Sequence, residues 1–338
     1  MIYYNEVTDL NPKLTVPALI EGAIMAGLTI ILILLGNLPL IGMLALLFSS
    51  IPITIVTTRH GSFAGGLSSV LSVLLLALFM GPLTAVSAGL QYVLLGWVMG
   101  YMLHRRKSAV KTIHASVITA AFATVALLLI NLALMGFSPE SIAAYLDEYQ
   151  KEMLAMYEAT GMTGMLIQQG MTQTQASDFL VQIINIAIRI MPALMIISHG
   201  AMAIVTYFIT TYILKRLKIR IPRVHGFQNW ILPGGFVWGL IAVWALWLAG
   251  DYISISWMNI LILNLLLVFA ALLFLDGMAM SMHLFKFKEM SAGMKMFTVF
   301  AFMLFFTGFI VSFILAGLAD LLFDFRKLRV DNKKEQKG

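Results

Sequence analysis

Apolar residues recur in runs longer than a soluble helix or strand uses. Windows at residues 16–36, 38–57, 63–80, 83–103 and 112–136 are nearly free of charge, and short breaks such as Gly36-Asn37 and Gly81-Pro82 separate them. About 20 mainly apolar residues cross the roughly 30 Å of hydrocarbon in a bilayer, where helices and closed barrels alone satisfy their backbone polar groups. The pattern therefore predicts five membrane helices in the first 136 residues. A polar stretch follows, SPESIAAYLDEYQKEMLAMYEATG, with Glu140, Asp147, Glu148, Glu152 and Glu158 set among apolar residues at helical spacing. It predicts an amphipathic segment outside the bilayer, over 139–176. The run from Ala176 to Leu214 is too long for one perpendicular span. Its first third reads as an extramembrane extension ending near Pro192, followed by a sixth membrane helix over 192–214. Three later windows lie at 229–249, 254–276 and 295–318.

The predicted fold is an all-α, polytopic membrane bundle of about eight to nine transmembrane helices. Composition agrees, because 60% hydrophobic residues, 11% charged residues and a mean hydropathy of +0.93 cannot be wrapped into a water-soluble surface. The polar start MIYYNEVTDLNPK has no basic n-region and no small-residue cleavage pattern, so the first window is expected to be a retained helix. With no cysteine there is no disulfide framework, thiolate chemistry or Cys-based metal site.

The net charge of +6 sits in short loops, HRRKSAVK and KRLKIRIPR, which points to membrane orientation and away from nucleic acid. Both clusters fall inside if the amino terminus is cytoplasmic and the first six helices each cross once. The acidic segment is then outside, and Arg59 inside. Three further spans would leave the basic tail FRKLRVDNKKEQKG outside, against the same rule. A re-entrant late window would give eight crossings instead of nine.

Residues Val16 to Arg106 carry a resemblance. They comprise a small-residue first helix, a Pro-flanked second, a charged turn, G-x-x-x-G, and a fourth helix ending GWVMGYMLHRRK. This resembles the S-components of energy-coupling factor (ECF) vitamin transporters, which have a six-helix core. The whole chain, including GLADLLFDFRKL from Gly317 to Leu328, resembles the YybS-like family of bacterial multi-pass membrane proteins. The first resemblance implies a ligand-binding core over 1–225 and a membrane extension over 226–338 that ordinary S-components lack. It also implies coupling and ATPase subunits as partners, and the second implies the bacterial inner membrane.

Ala18, Gly22 and Ala26 lie at i, i+4 and i+8 of the first helix, a stripe that lets another helix approach closely. In S-components such a stripe faces the coupling subunit; packing within this chain is the alternative. Glu21 beside it either snorkels to water or forms an ion pair with a partner helix. Gly61 and Gly65 predict a second close-approach face, preceded by Arg59 and His60 as anchors at the membrane edge.

Polar groups within spans must face protein or water and are functional candidates. Arg189 and Asn185 lie one turn apart at the outer end of the sixth helix. Gln91 is about 12 Å from the outer end of the fourth helix and Asn131 about 7 Å from that of the fifth, at about 1.5 Å per residue. These four converge on the outer half, where S-components bind substrate and where Asn37 of the first outer loop would join them. An Arg among amides suits a small polar ligand, anionic ones included; scattered membrane-edge residues are the alternative. His199 reads as a satisfied structural histidine or a proton or cation carrier. Asp320, Asp324 and Arg326 read as a solvated, charge-balanced helix end at the interface, with a divalent ion or Arg pairing on the face shared by the two carboxylates as the alternative. No metal site, no cofactor and no enzymatic motif of the zinc-protease, nucleophile-elbow or Walker type is expected. The reading is a ligand-binding transport subunit, with a non-transporting membrane scaffold of the cell envelope as the alternative.

Overall fold

The computed structural model describes residues 15–39, 41–136, 138–219, 221–222, 226–250, 256–284 and 291–326. Among them every regular element is a helix. Arg220, Arg223 and the basic tail from residue 327 onward lie outside the described residues.

The apolar windows become α1 (Val16–Leu35), α2 (Gly42–Ser49), α3 (Ile51–His60), α4 (Ser62–Met80), α5 (Pro82–Ala88), α6 (Leu94–His104) and α7 (Ala109–Leu134). A π-turn over Gly89–Val93 joins α5 to α6 without ending the helix. The polar stretch forms α8 (Pro139–Ala159), whose start is capped by the Ser138 hydroxyl accepting from the Ser141 N–H, and α9 (Met162–Gln168). Then come α10 (Gln173–Arg216), α11 (Phe236–Gly250), α12 (Ser256–Leu284), α13 (Ala292–Leu304) and α14 (Phe306–Phe323).

Six helical stretches are long and apolar enough to cross a membrane, among them the 39-residue stretch Gly42–Met80, and two shorter apolar helices accompany them. The chain is a multi-pass membrane protein. Gly42–Met80 is not one rod. Gly61 has φ +88° and ψ 175°, a conformation open to glycine, and Gly65 then lies against Thr57, eight positions earlier. A straight helix would separate those two by about 12 Å, so the chain folds back at Gly61.

Contacts divide the chain into two units, one of residues 1–129 and 198–224, the other of residues 130–197 and 225–338. The excursion 130–197 thus groups with the carboxy-terminal part, not with the residues that precede it.

In the first unit α3 is the central helix. Every residue from Ile51 to Thr58 is buried, as befits a helix apolar on all sides. Its hydroxyls are satisfied locally: Thr54, Thr57 and Thr58 donate to the carbonyls of Ser50, Ile53 and Thr54, four residues back. Ile51 and Ile55 pack with Leu95, Met99 and Leu103 of α6, Ile113 of α7 and Tyr207 of α10. Ile53 packs with Ile30 and Ile33 of α1, Leu76 of α4 and Val93.

In the second unit α12 packs most extensively on α14. Gly277 faces the Phe313 carbonyl and Gly317 faces the Leu273 carbonyl, so a methyl group at either position would collide with backbone. The two helices touch main chain to main chain there, the arrangement favoured where lipid supplies no hydrophobic drive.

Pro192, expected near the junction of an extramembrane extension and the sixth membrane helix, does not interrupt the helix. α10 runs continuously for 44 residues with Pro192 inside it. Proline removes one backbone donor and crowds the preceding turn. The break is repaired from α12: the Asn264 amide oxygen accepts the Ala193 N–H at 2.7 Å while its NH2 donates to the Arg189 carbonyl at 2.7 Å. One side chain thus stands in for a lost i to i−4 bond.

Candidate functional site

Gln91 lies in the π-turn Gly89–Val93, and widened turns of this kind rotate side chains out of ordinary helical register. Its side-chain amide meets the His199 imidazole of α10, with the closest approach at Nε2. On the other side of the ring, Nδ1 lies 2.9 Å from the Thr124 hydroxyl of α7. That hydroxyl has one hydrogen, directed at the Ala120 carbonyl 2.9 Å away. With the hydroxyl so directed, His199 Nδ1–H can donate to Thr124 and Nε2 can accept from the Gln91 NH2. Thr124 is fully buried, whereas Gln91 and His199 are half-buried. Three helices thus bring an amide, an imidazole and a hydroxyl together within apolar spans. Such a centre can donate and accept hydrogen bonds and can exchange a proton.

The other predicted ligand residues are spread over the chain. Asn37 is exposed between α1 and α2, its NH2 donating to the Leu34 carbonyl. Asn131, Asn185 and Arg189 are exposed and belong to the second unit, while Asn37 and Gln91 belong to the first. Arg189 takes part in the α10–α12 contact through its carbonyl, the acceptor of Asn264.

Ala18, Gly22 and Ala26 are buried. Ala18 packs with Val56 and Ala64, and Gly22 lies against Ser68 of α4. The stripe is therefore covered by the chain's own helices and is not open to a coupling subunit. Gly65 faces Thr57, but Gly61 is the turn residue and contributes no helix face.

Glu21 neither reaches water freely nor awaits a partner. Its Oε1 accepts from Arg59 Nη1 at 2.6 Å and its Oε2 meets His60 Nε2 at 2.8 Å. The pair expected to anchor the membrane edge also clasps α1.

The reading of Asp320 and Arg326 as a solvated helix end is also corrected. The side chains of Asp276, Asp320 and Arg326 are fully buried. Arg326 Nη2 donates to both carboxylates at 2.7 Å, Nε donates to Asp320, and Nη1 donates to the Gln228 and Trp230 carbonyls. Burial of a guanidinium is tolerable because all its donors are engaged. Asp324 stands apart as the left-handed residue ending α14, with φ +48°. Among the described residues no cluster of metal-binding side chains occurs.

A family model described as "Predicted membrane protein (DUF2232)" matches residues 27–321. The chain belongs to this family. DUF2232 membership covers both units, from within α1 to within α14, and includes the Gln91–His199–Thr124 centre. The family's description states a membrane location and no reaction. No curated protein and no solved structure matches the chain.

Proposed function

We propose that this DUF2232 protein is a small-molecule-binding subunit of a membrane transport system, with its polar centre at Gln91, Thr124 and His199. The observation that carries the reading is the π-turn that directs Gln91 onto His199 inside an apolar helix packing. Polar groups in hydrocarbon surroundings are costly to keep and usually serve a pathway or a ligand. On this reading the role is binding and not catalysis. The ligand is small and polar, and the S-component resemblance adds coupling and ATPase subunits as partners. The setting is the bacterial inner membrane, with a cytoplasmic amino terminus and the basic loops inside.

A second reading is a non-transporting envelope scaffold. It is favoured by the covered α1 stripe, since the surface used for coupling in S-components is occupied here by α4.

Purification from native membrane followed by mass spectrometry separates the two. The transport reading expects a reproducible co-purifying small molecule, lost in Gln91→Leu and His199→Leu variants that elute and melt like the parent. Absence of any such molecule and of an ATPase partner would leave the scaffold.

A further inference from the structure

In the first unit a half-open cleft of about 430 Å³ lies where three chain segments leave their helices. The last turn of α3 contributes Arg59 and His60, the end of α6 contributes His104 with Arg106 just beyond it, and Ile219 follows the end of α10. Leu103 and Ile219 supply apolar wall. The apolar stretches of Pro82–His104 and Gln173–Arg216 end beside the cleft, the level at which their spans are expected to leave the hydrocarbon.

Its charge is unevenly balanced. Glu21 is shared by Arg59 and His60, so one carboxylate answers two nitrogenous side chains. Arg106 has no ion pair among the described residues. Its backbone has φ +51°, in the region that favours glycine. Arg106 N–H bonds to the Leu103 carbonyl and Lys107 N–H to the Met102 carbonyl, the pattern of a helix terminus whose left-handed position is usually glycine. Arginine sits there at a conformational cost, as do Lys218 and Asp324 at two other helix ends. His104 is fixed beside it, its Nδ1–H donating to the Thr58 carbonyl at 3.0 Å. Helix carboxy-termini carry about half a negative charge each. Here the Thr58, Met102 and Leu103 carbonyls already accept hydrogen bonds, which leaves the guanidinium charges to dominate the opening.

We propose that this cleft binds a phosphate-bearing anion, with Arg106 and Arg59 donating to the phosphate oxygens and Leu103 and Ile219 bordering its apolar remainder. Guanidinium groups match phosphate geometry, and basic clefts between membrane helices at the bilayer edge suit anionic headgroups. The phosphate belongs either to an anionic lipid or to free phosphate. The site is separate from the Gln91 centre and does not depend on the transport reading.

The test uses the full chain in detergent, titrated with phosphatidylglycerol, phosphatidylcholine and inorganic phosphate, and the Arg106→Gly variant. Glycine relaxes the backbone at φ +51°, so this variant is expected to melt no lower than the parent. Phosphatidylglycerol binding at least tenfold tighter than phosphatidylcholine, and at least tenfold weaker in R106G, supports a lipid headgroup. Inorganic phosphate binding that R106G abolishes, without retention of phosphatidylglycerol, supports free phosphate as the source. R106G binding like the parent, or a parent that binds neither probe, overturns the proposal.

Discussion

Arg326 shows how much one side chain can hold. It joins two carboxylates of different helices and the carbonyls of Gln228 and Trp230, with every atom of its head group out of solvent. Arg326→Met would leave Asp276 and Asp320 buried without a counter-charge, an expected loss of about 3–5 kcal/mol. Arg326→Lys keeps the charge but lacks the forked donors and is expected to melt between the parent and R326M. Thermal unfolding of the detergent-solubilised protein checks both, and a methionine variant as stable as the parent would remove the triad from the account. Along the sequence, Asp320, Asp324 and Arg326 look like an ordinary charged helix end. The clue was Asp276, a lone carboxylate deep in an apolar run, because such a residue requires a cation to reach it. Spacing cannot say that the cation comes from 50 positions away.

Helices were legible and their irregularities were not. Apolar length predicts α1, α4 and α7 closely, since crossing a bilayer demands little beyond length and hydropathy. Pro192 is expected near the edge of the sixth span, and the helix runs through it because Asn264 supplies hydrogen bonds where proline disrupts them. Asn264→Leu would leave the Ala193 N–H and the Arg189 carbonyl unpaired, at an expected cost of about 1–3 kcal/mol. Amide hydrogen exchange at Ala193 should accelerate, and Pro192→Ala in the same background should restore protection by closing the helix. Unchanged exchange in N264L would contradict this role. Of the predicted close-approach pair, Gly65 does lie against Thr57 of α3. Gly61 makes the turn, whereas Gly96 and Gly100 of α6 lie on α3, beside the Ser50 and Thr54 carbonyls. A small-residue pattern signals that some backbone comes near without naming which one.

For the whole molecule, charge predicts an orientation. The basic loop after α6 and the acidic α8 are expected on opposite sides, with the basic side inside. The cysteine-free background makes this directly measurable. Ser108→Cys should react with an impermeant maleimide only after permeabilisation, and Ala144→Cys should react in intact cells; the reverse pattern would invert the topology. Hydropathy and charge alone determined that the chain is helical and multi-pass, because a bilayer imposes the same length and polarity limits on every span. The tertiary structure decided which polar residues meet. It joined Gln91 to His199 across 108 positions, Glu21 to Arg59 across 38 and Asp276 to Arg326 across 50. In hydrocarbon surroundings each buried polar group must find a partner, and the packing of helices, not their order along the chain, sets who that partner is.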